Sequence, residues 1–103
     1  MNRLTIIGNV CAKPELRSVN TANGPASVCT FTVAVNGRKG EDATFFRVTT
    51  WRGLADNCAR YLDKGRKAAV VGEVSCHIYT NKSGEARASL EVNAQDVEFV
   101  TSA

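Results

Sequence analysis

Several features are scarce in this 103-residue chain, and each scarcity removes a class of function. There is one histidine, His77, with no nucleophile motif beside it, and no glycine-rich phosphate loop carrying a lysine. The carboxylates Glu41-Asp42 and Asp96 with Glu98 read as solvated turn and edge-strand charges, so catalysis is not expected and no residue is given a catalytic role. Four cysteines, Cys11, Cys29, Cys58 and Cys76, stand too far apart to form a Cys-x-x-Cys half-site. Neither a metal site nor a cofactor is therefore expected, and in a reducing compartment isolated cysteines serve as small buried hydrophobes. No apolar run approaches the roughly 20 residues of a membrane span, and the start Met-Asn-Arg-Leu-Thr lacks a basic segment followed by a long apolar one. A cytoplasmic protein without a membrane partner is the expectation.

What is present describes an ordinary globular chain. Prolines number only two, glycines eight, and 44% of residues are apolar. The length allows one domain, residues 1–103, with a single modest core. Thirteen basic against ten acidic residues leave a formal charge of +3, and its distribution is uneven. Residues 1–67 hold eleven Lys/Arg against five Asp/Glu, whereas residues 68–103 hold two against five. The basic charge thus lies in the first two-thirds of the chain, a weak pointer to a polyanionic partner.

Strand periodicity dominates. Leu4-Thr5-Ile6-Ile7-Gly8 is β-rich with a glycine that marks a bulge or sharp bend, and Pro14 to Val19 resumes an alternating pattern before the turn Asn20 to Pro25. Val28 to Val35 alternates cleanly, with Cys29, Phe31, Val33 and Val35 on one side. A loop, Asn36 to Asp42, then leads as a hairpin into Ala43 to Arg52. That last stretch has two unlike faces: Phe46, Val48 and Thr50 suit a core, while Phe45, Arg47, Thr49 and Trp51 share the other side. Two large rings with an arginine between them suit a flat, anionic ligand. Leu54, Ala55, Cys58, Tyr61 and Leu62 then fall at helical spacing between Gly53 and Gly65, predicting one short helix that closes an end of the sheet. Ala68 to Thr80, Ala86 to Val92 and Asp96 to Val100 complete the β-prone segments, the first two forming a long hairpin with Tyr79 and Arg87 on opposite arms. Five strands with one helix between the third and fourth is the order of an oligonucleotide-binding (OB) barrel, an all-β class that carries many functions.

The chain resembles the bacterial single-stranded DNA-binding proteins. The resemblance rests on Ile7-Gly8-Asn9 with Pro14-Glu15-Leu16-Arg17, on Phe45-Phe46-Arg47-Val48-Thr49-Thr50-Trp51, on Leu54-Ala55 with Tyr61-Leu62-Asp63-Lys64-Gly65, and on Val71-Gly72-Glu73-Val74. It spans nearly everything from Asn2 to Val100. It implies sequence-independent binding and protection of single-stranded DNA in replication, recombination and repair, in the cytoplasm on the nucleoid. Phe45, Trp51 and Tyr79 occupy the family's base-stacking positions, and Arg3, Arg47 and Lys64 its phosphate-contacting ones. Arg38, Lys39, Arg52, Lys82 and Arg87 join them from loop or strand placement alone. RNA stays open as a ligand, because no residue is identified that reads the 2′-hydroxyl.

The resemblance also implies a homotetramer, a dimer of dimers. The first strands, Asn2 to Ile7, would pair across one interface, with Asn2, Leu4 and Ile6 contributing, and Phe46 would stand at a subunit contact. The chain departs from the family in three places. Lys39 stands near where many relatives carry a further stacking tryptophan. Ser75-Cys76-His77-Ile78 lies where relatives often carry several basic residues. Both predict weaker or more salt-sensitive binding. The sequence ends at Thr101-Ser102-Ala103, without the linker and acidic tip through which relatives recruit replication and repair enzymes, so such partners are expected only where a tail exists. The competing reading is a small interaction module similar to primosomal replication protein N.

Overall fold

Six strands and one helix follow one another as β1 (Leu4–Val10), β2 (Glu15–Thr21), β3 (Gly24–Val35), β4 (Thr44–Trp51), α1 (Arg52–Tyr61), β5 (Lys67–Thr80) and β6 (Ala86–Val100). The computed structural model describes residues 1–100, so the final three residues, on which the reading of the chain end rests, lie outside the described residues. The expected five strands become six segments because the first one breaks between Val10 and Glu15. Pro14, which has no N–H to give to a ladder, sits in that break. Counting β1 and β2 as two arms of one bent strand restores the expected order, with the helix between the third and fourth strands.

The strands form one sheet, ordered β1-β5-β6-β4-β3-β2, and an additional β1–β3 pairing closes five of them into a ring. The closure is short: Asn9 pairs with Ala34 and Val10 with Val33. Gly8 makes it possible. A β-carbon there would run into the Ala34 carbonyl oxygen and come within 2.8 Å of Val33 Cγ1, so only glycine lets β1 approach β3 this closely. The β4–β6 pairing is parallel and the other ladders are antiparallel.

The sequence divides the end of the chain into Ala86–Val92 and Asp96–Val100, yet β6 runs unbroken. Opposite it, Val71 pairs with Asp96 and the next residue, Gly72, with Ala94, which leaves Gln95 as an extra, bulged residue. The interruption in the alternating pattern is this bulge and not a strand end. β5 and β6 then continue together to Thr80 and Ala86, a projecting hairpin in which Tyr79 is paired with Arg87 as the residue count implied.

The core is built from the inward side chains of the ring, chiefly Ile6, Val10, Phe31, Val33, Phe46, Val48, Val70 and Val92. Ala55, Cys58 and Leu62 of the helix segment seal it. Tyr61 departs from the expected stripe. It is exposed and its ring meets that of Phe99, itself partly exposed, at 5.7 Å between centroids. Leu62 takes the buried place instead, because the helix ends at Tyr61 and the extended backbone of Leu62 turns its side chain inward. At the other end Arg52 has φ +57°, a left-handed conformation that costs a non-glycine residue about 1–2 kcal/mol and turns the chain from strand into helix.

Candidate nucleic-acid interface

β4 separates its side chains as the alternation predicts. Phe46, Val48 and Thr50 are buried, while Phe45 is 58% and Trp51 41% exposed, with Arg47 exposed between them. The two rings stand six positions apart, about 20 Å along an extended strand. The ladders extend this outer face sideways. On β3, Ala34 stands opposite Phe45, Thr32 opposite Arg47 and Val28 opposite Trp51; on β6, Glu91 stands beside Arg47 and Asn93 beside Thr49. The β5–β6 ladder carries the same face out along the hairpin through the pairs Ser75–Glu91, His77–Ser89 and Tyr79–Arg87.

Tyr79, 46% exposed, is brought to the central strand by a groove of about 520 Å³ lined by Thr32, Ala43, Thr44, Phe45, Arg47, Tyr79 and Ala88 to Leu90. Phe45, Arg47 and Tyr79 therefore share one concavity, which their separation in sequence does not reveal. A second groove, about 330 Å³, opens on the other side of Phe45 and Arg47 and is lined by Cys11, Ala12, Lys13, Glu15, Thr30, Phe31 and Thr32 as well. Trp51 borders neither groove, although it shares their face.

The remaining predicted contacts are dispersed around this centre. Arg38 and Lys39 occupy the β3–β4 loop, where the Arg38 N–H donates to the Glu41 carboxylate at 3.4 Å and Glu41 N–H to the Arg38 carbonyl at 2.8 Å. Lys82 is at the hairpin tip, a turn fixed by the Asn81 side chain accepting from the Ser83 and Glu85 N–H groups. Arg52 begins the helix, and Arg3 precedes β1. Lys64 sits in the turn after the helix, whose Gly65 N–H donates to the Val10 carbonyl while the Val10 N–H donates to the Arg66 carbonyl, each at 2.8 Å. Among the described residues one ion pair forms, Arg87 with Glu85 at 3.6 Å, between well-exposed side chains and worth at most about 1 kcal/mol. Arg47 makes none, so its charge is available to an anion.

Three residues of the face were missed in the sequence. His77 lies two positions before Tyr79 with its ring near-parallel at 16° and 6.1 Å between centroids, a placement that i, i+2 strand spacing could have indicated. Glu91 puts a half-buried carboxylate beside Arg47. Lys13 enters the smaller groove from a bend that no periodicity locates.

Of the proposed interface residues, Ile6 and Phe46 are core members and Leu4 packs against the core. Asn2 is held within the chain, its side-chain amide donating to the Val74 carbonyl at 2.7 Å and accepting from the Val74 N–H at 3.2 Å. The cysteines divide. Cys29 and Cys58 are fully buried, but Cys11 is only half-buried and Cys76 is exposed on the hairpin, which corrects the reading of all four as buried hydrophobes. Burial raises the Cys29 thiol and, reinforced by Cys29 itself, pushes Cys58 up to about 12, with a hydrogen bond from Thr50 pulling the other way in both. Neither is a nucleophile near neutral pH. No helix among the described residues is long and apolar enough to cross a membrane.

Residues 1–100 match the Single-strand binding protein family. Single-stranded DNA-binding protein A of Bacillus subtilis (strain 168) is 40% identical over 105 residues, covering 97% of this chain and 59% of the relative. The Halalkalibacterium halodurans single-stranded DNA-binding protein is 39% identical, with 97% and 61% covered. Single-stranded DNA-binding protein 1 of Clostridium acetobutylicum is 33% identical, with 97% and 94% covered. The chain thus spans about three-fifths of the first two relatives and nearly the whole of the third. With its closed ring of strands and the helix placed between the third and fourth of them, the chain belongs to the single-strand binding protein family and carries the oligonucleotide-binding fold.

Proposed function

We propose that this chain binds single-stranded DNA without regard to sequence, and covers and protects it during replication, recombination and repair in the cytoplasm. The observation that carries the reading is the outer face of β4, where Phe45 and Trp51 stand exposed on either side of Arg47 and Tyr79 approaches across a groove. Any base offers a π-face, so each ring accepts any sequence at about 1–3 kcal/mol per stacked base. Arg47, with Arg3, Arg38, Lys39, Arg52, Lys64, Lys82 and Arg87 around it, neutralises phosphates and releases counterions. Glu91 beside Arg47 tempers that charge, adding to the weaker binding expected from the departures at Lys39 and at Ser75 to Ile78.

Titration with labelled oligonucleotides of increasing length and differing base composition, at two salt concentrations, tests the proposal. Comparable binding of oligo(dT) and mixed sequences, weakening steeply with salt, is expected. Binding confined to one sequence, or indifferent to salt, overturns it.

Assembly as a homotetramer, a dimer of dimers, belongs to the same proposal. β1 is paired with β5 from Leu4 to Asn9 and with β3 only at Asn9 and Val10, so among the described residues its other edge from Leu4 to Gly8 is unpaired. Such an edge is a template for a second copy, and exposed Ile7 lies beside it. Partners recruited through an acidic tail apply to whichever form of the protein carries one.

A further inference from the structure

The two grooves on the β4 face meet at the same three residues: Thr32, Phe45 and Arg47 line both. Together they make one trough that runs across the strands, from Tyr79 on the hairpin, over Phe45 and Arg47, to the bend between β1 and β2. The geometry points to Lys13, on the bend between β1 and β2, as a further phosphate-neutralising contact on the strand's path, with Cys11 lying under the strand. This rests on the single-stranded DNA reading above and extends it to a segment that neither the stacking motif nor the basic loops mark.

Three features support the assignment. Lys13 is exposed, makes no ion pair among the described residues, and lines the same groove as Arg47, so two cations face one channel. The bend that carries it is held in place before any ligand arrives: the Cys11 N–H donates to the Thr32 carbonyl at 2.9 Å, and Val10 just before it is bonded in both directions to the Gly65–Arg66 turn. A cation on a fixed bend loses little freedom on binding. Thr30 and Thr32 floor the channel and Phe45 walls it, a mix of hydroxyl, ring and cation that matches phosphate, sugar and base in turn. Glu15, on the same groove, is the one acidic group there and biases the backbone toward the Lys13 and Arg47 side. The direction also matters: the trough crosses β4, whereas the line from Phe45 to Trp51 follows it, so a strand long enough to use both must turn at Arg47.

The test measures two independent quantities on the intact chain. In a salt series with oligo(dT), Lys13→Gln is expected to reduce the slope of log K against log salt by about 0.7, the contribution of one phosphate on a single strand. In parallel, alkylation of Cys11 by N-ethylmaleimide, followed by mass analysis of its peptide, is expected to slow severalfold when oligo(dT) is bound. Cys29 and Cys58, buried with raised thiol pKa values, stay unmodified as long as the fold is intact. An unchanged slope in Lys13→Gln, or Cys11 alkylation indifferent to DNA, overturns the path while leaving single-strand binding standing. A parent protein that does not bind oligo(dT) at all brings down both readings.

Discussion

Two adjacent phenylalanines give the sharpest separation between fold and function. Phe46 is 9% exposed and packed in the core, whereas Phe45 is 58% exposed on the groove face. Truncating a buried phenylalanine to alanine costs about 3–5 kcal/mol, the lost transfer free energy plus the cavity left behind. A domain of this size has roughly 5–15 kcal/mol to lose, so Phe46→Ala stands near the edge of folding. At about 4–8 °C per kcal/mol, its Tm falls by roughly 12 °C or more. Phe45→Ala gives up only a partial cross-strand contact over Ala34, about 0.2–1 kcal/mol. Its cost appears in binding instead, at about 1–3 kcal/mol for one stacked base, a factor of roughly 5 to 150 in affinity. Thermal unfolding at fixed protein concentration and fluorescence titration with oligo(dT) read the two quantities separately. A Phe46→Ala protein as stable as the parent, or a Phe45→Ala protein that binds as tightly, would refute the division of this strand into a structural and a ligand face. Because core loss accompanies Phe46→Ala, its effect on assembly is better read from the volume-conserving Phe46→Leu, with mass followed by light scattering.

Other expectations follow from single positions. Gly8→Ala places a methyl against the Ala34 carbonyl where the ring closes, and backbone cannot yield as a flexible side chain can; a loss of about 1–3 kcal/mol in urea unfolding is expected, and a neutral result would show that β1 does not approach β3 closely. Cys58 titrates near 9 when unfolded and at about 12 when folded, so its thiol favours the folded state fully below pH 9 and that contribution drains away as pH rises toward 12, at no more than about 1.4 kcal/mol per pH unit. Denaturant midpoints measured from pH 8 to 11 should therefore fall less steeply in Cys58→Ala than in the parent; parallel slopes would remove the thiol from the account.

The parts of this molecule that follow from local alternation are legible in its sequence. Phe45 and Phe46 separate onto opposite faces because neighbours on a strand must, and Tyr79 meets Arg87 because a tight turn fixes the hairpin register. The parts that depend on distant approach are not. Pro14 marks an interruption of the first strand, but nothing within Cys11 to Pro14 says that Lys13 comes to lie on a groove walled by a residue of β4. The pattern change around Gln95 reads as a gap between strands, since a bulge and a strand end look alike without the partner's register. Tyr61 follows helical spacing yet leaves the core because Phe99 offers a surface partner and Leu62 fills the interior place.

The central claim is that the exposed rings of β4 receive bases from single-stranded DNA with no other protein needed. Trp51 is the only tryptophan in the chain, so its fluorescence reports on this face alone. Titrating the purified protein with oligo(dT) should quench that fluorescence strongly and saturably, with the quench reversed by added salt. Emission unchanged through the titration, or quenched only after a protein partner is supplied, would contradict the account.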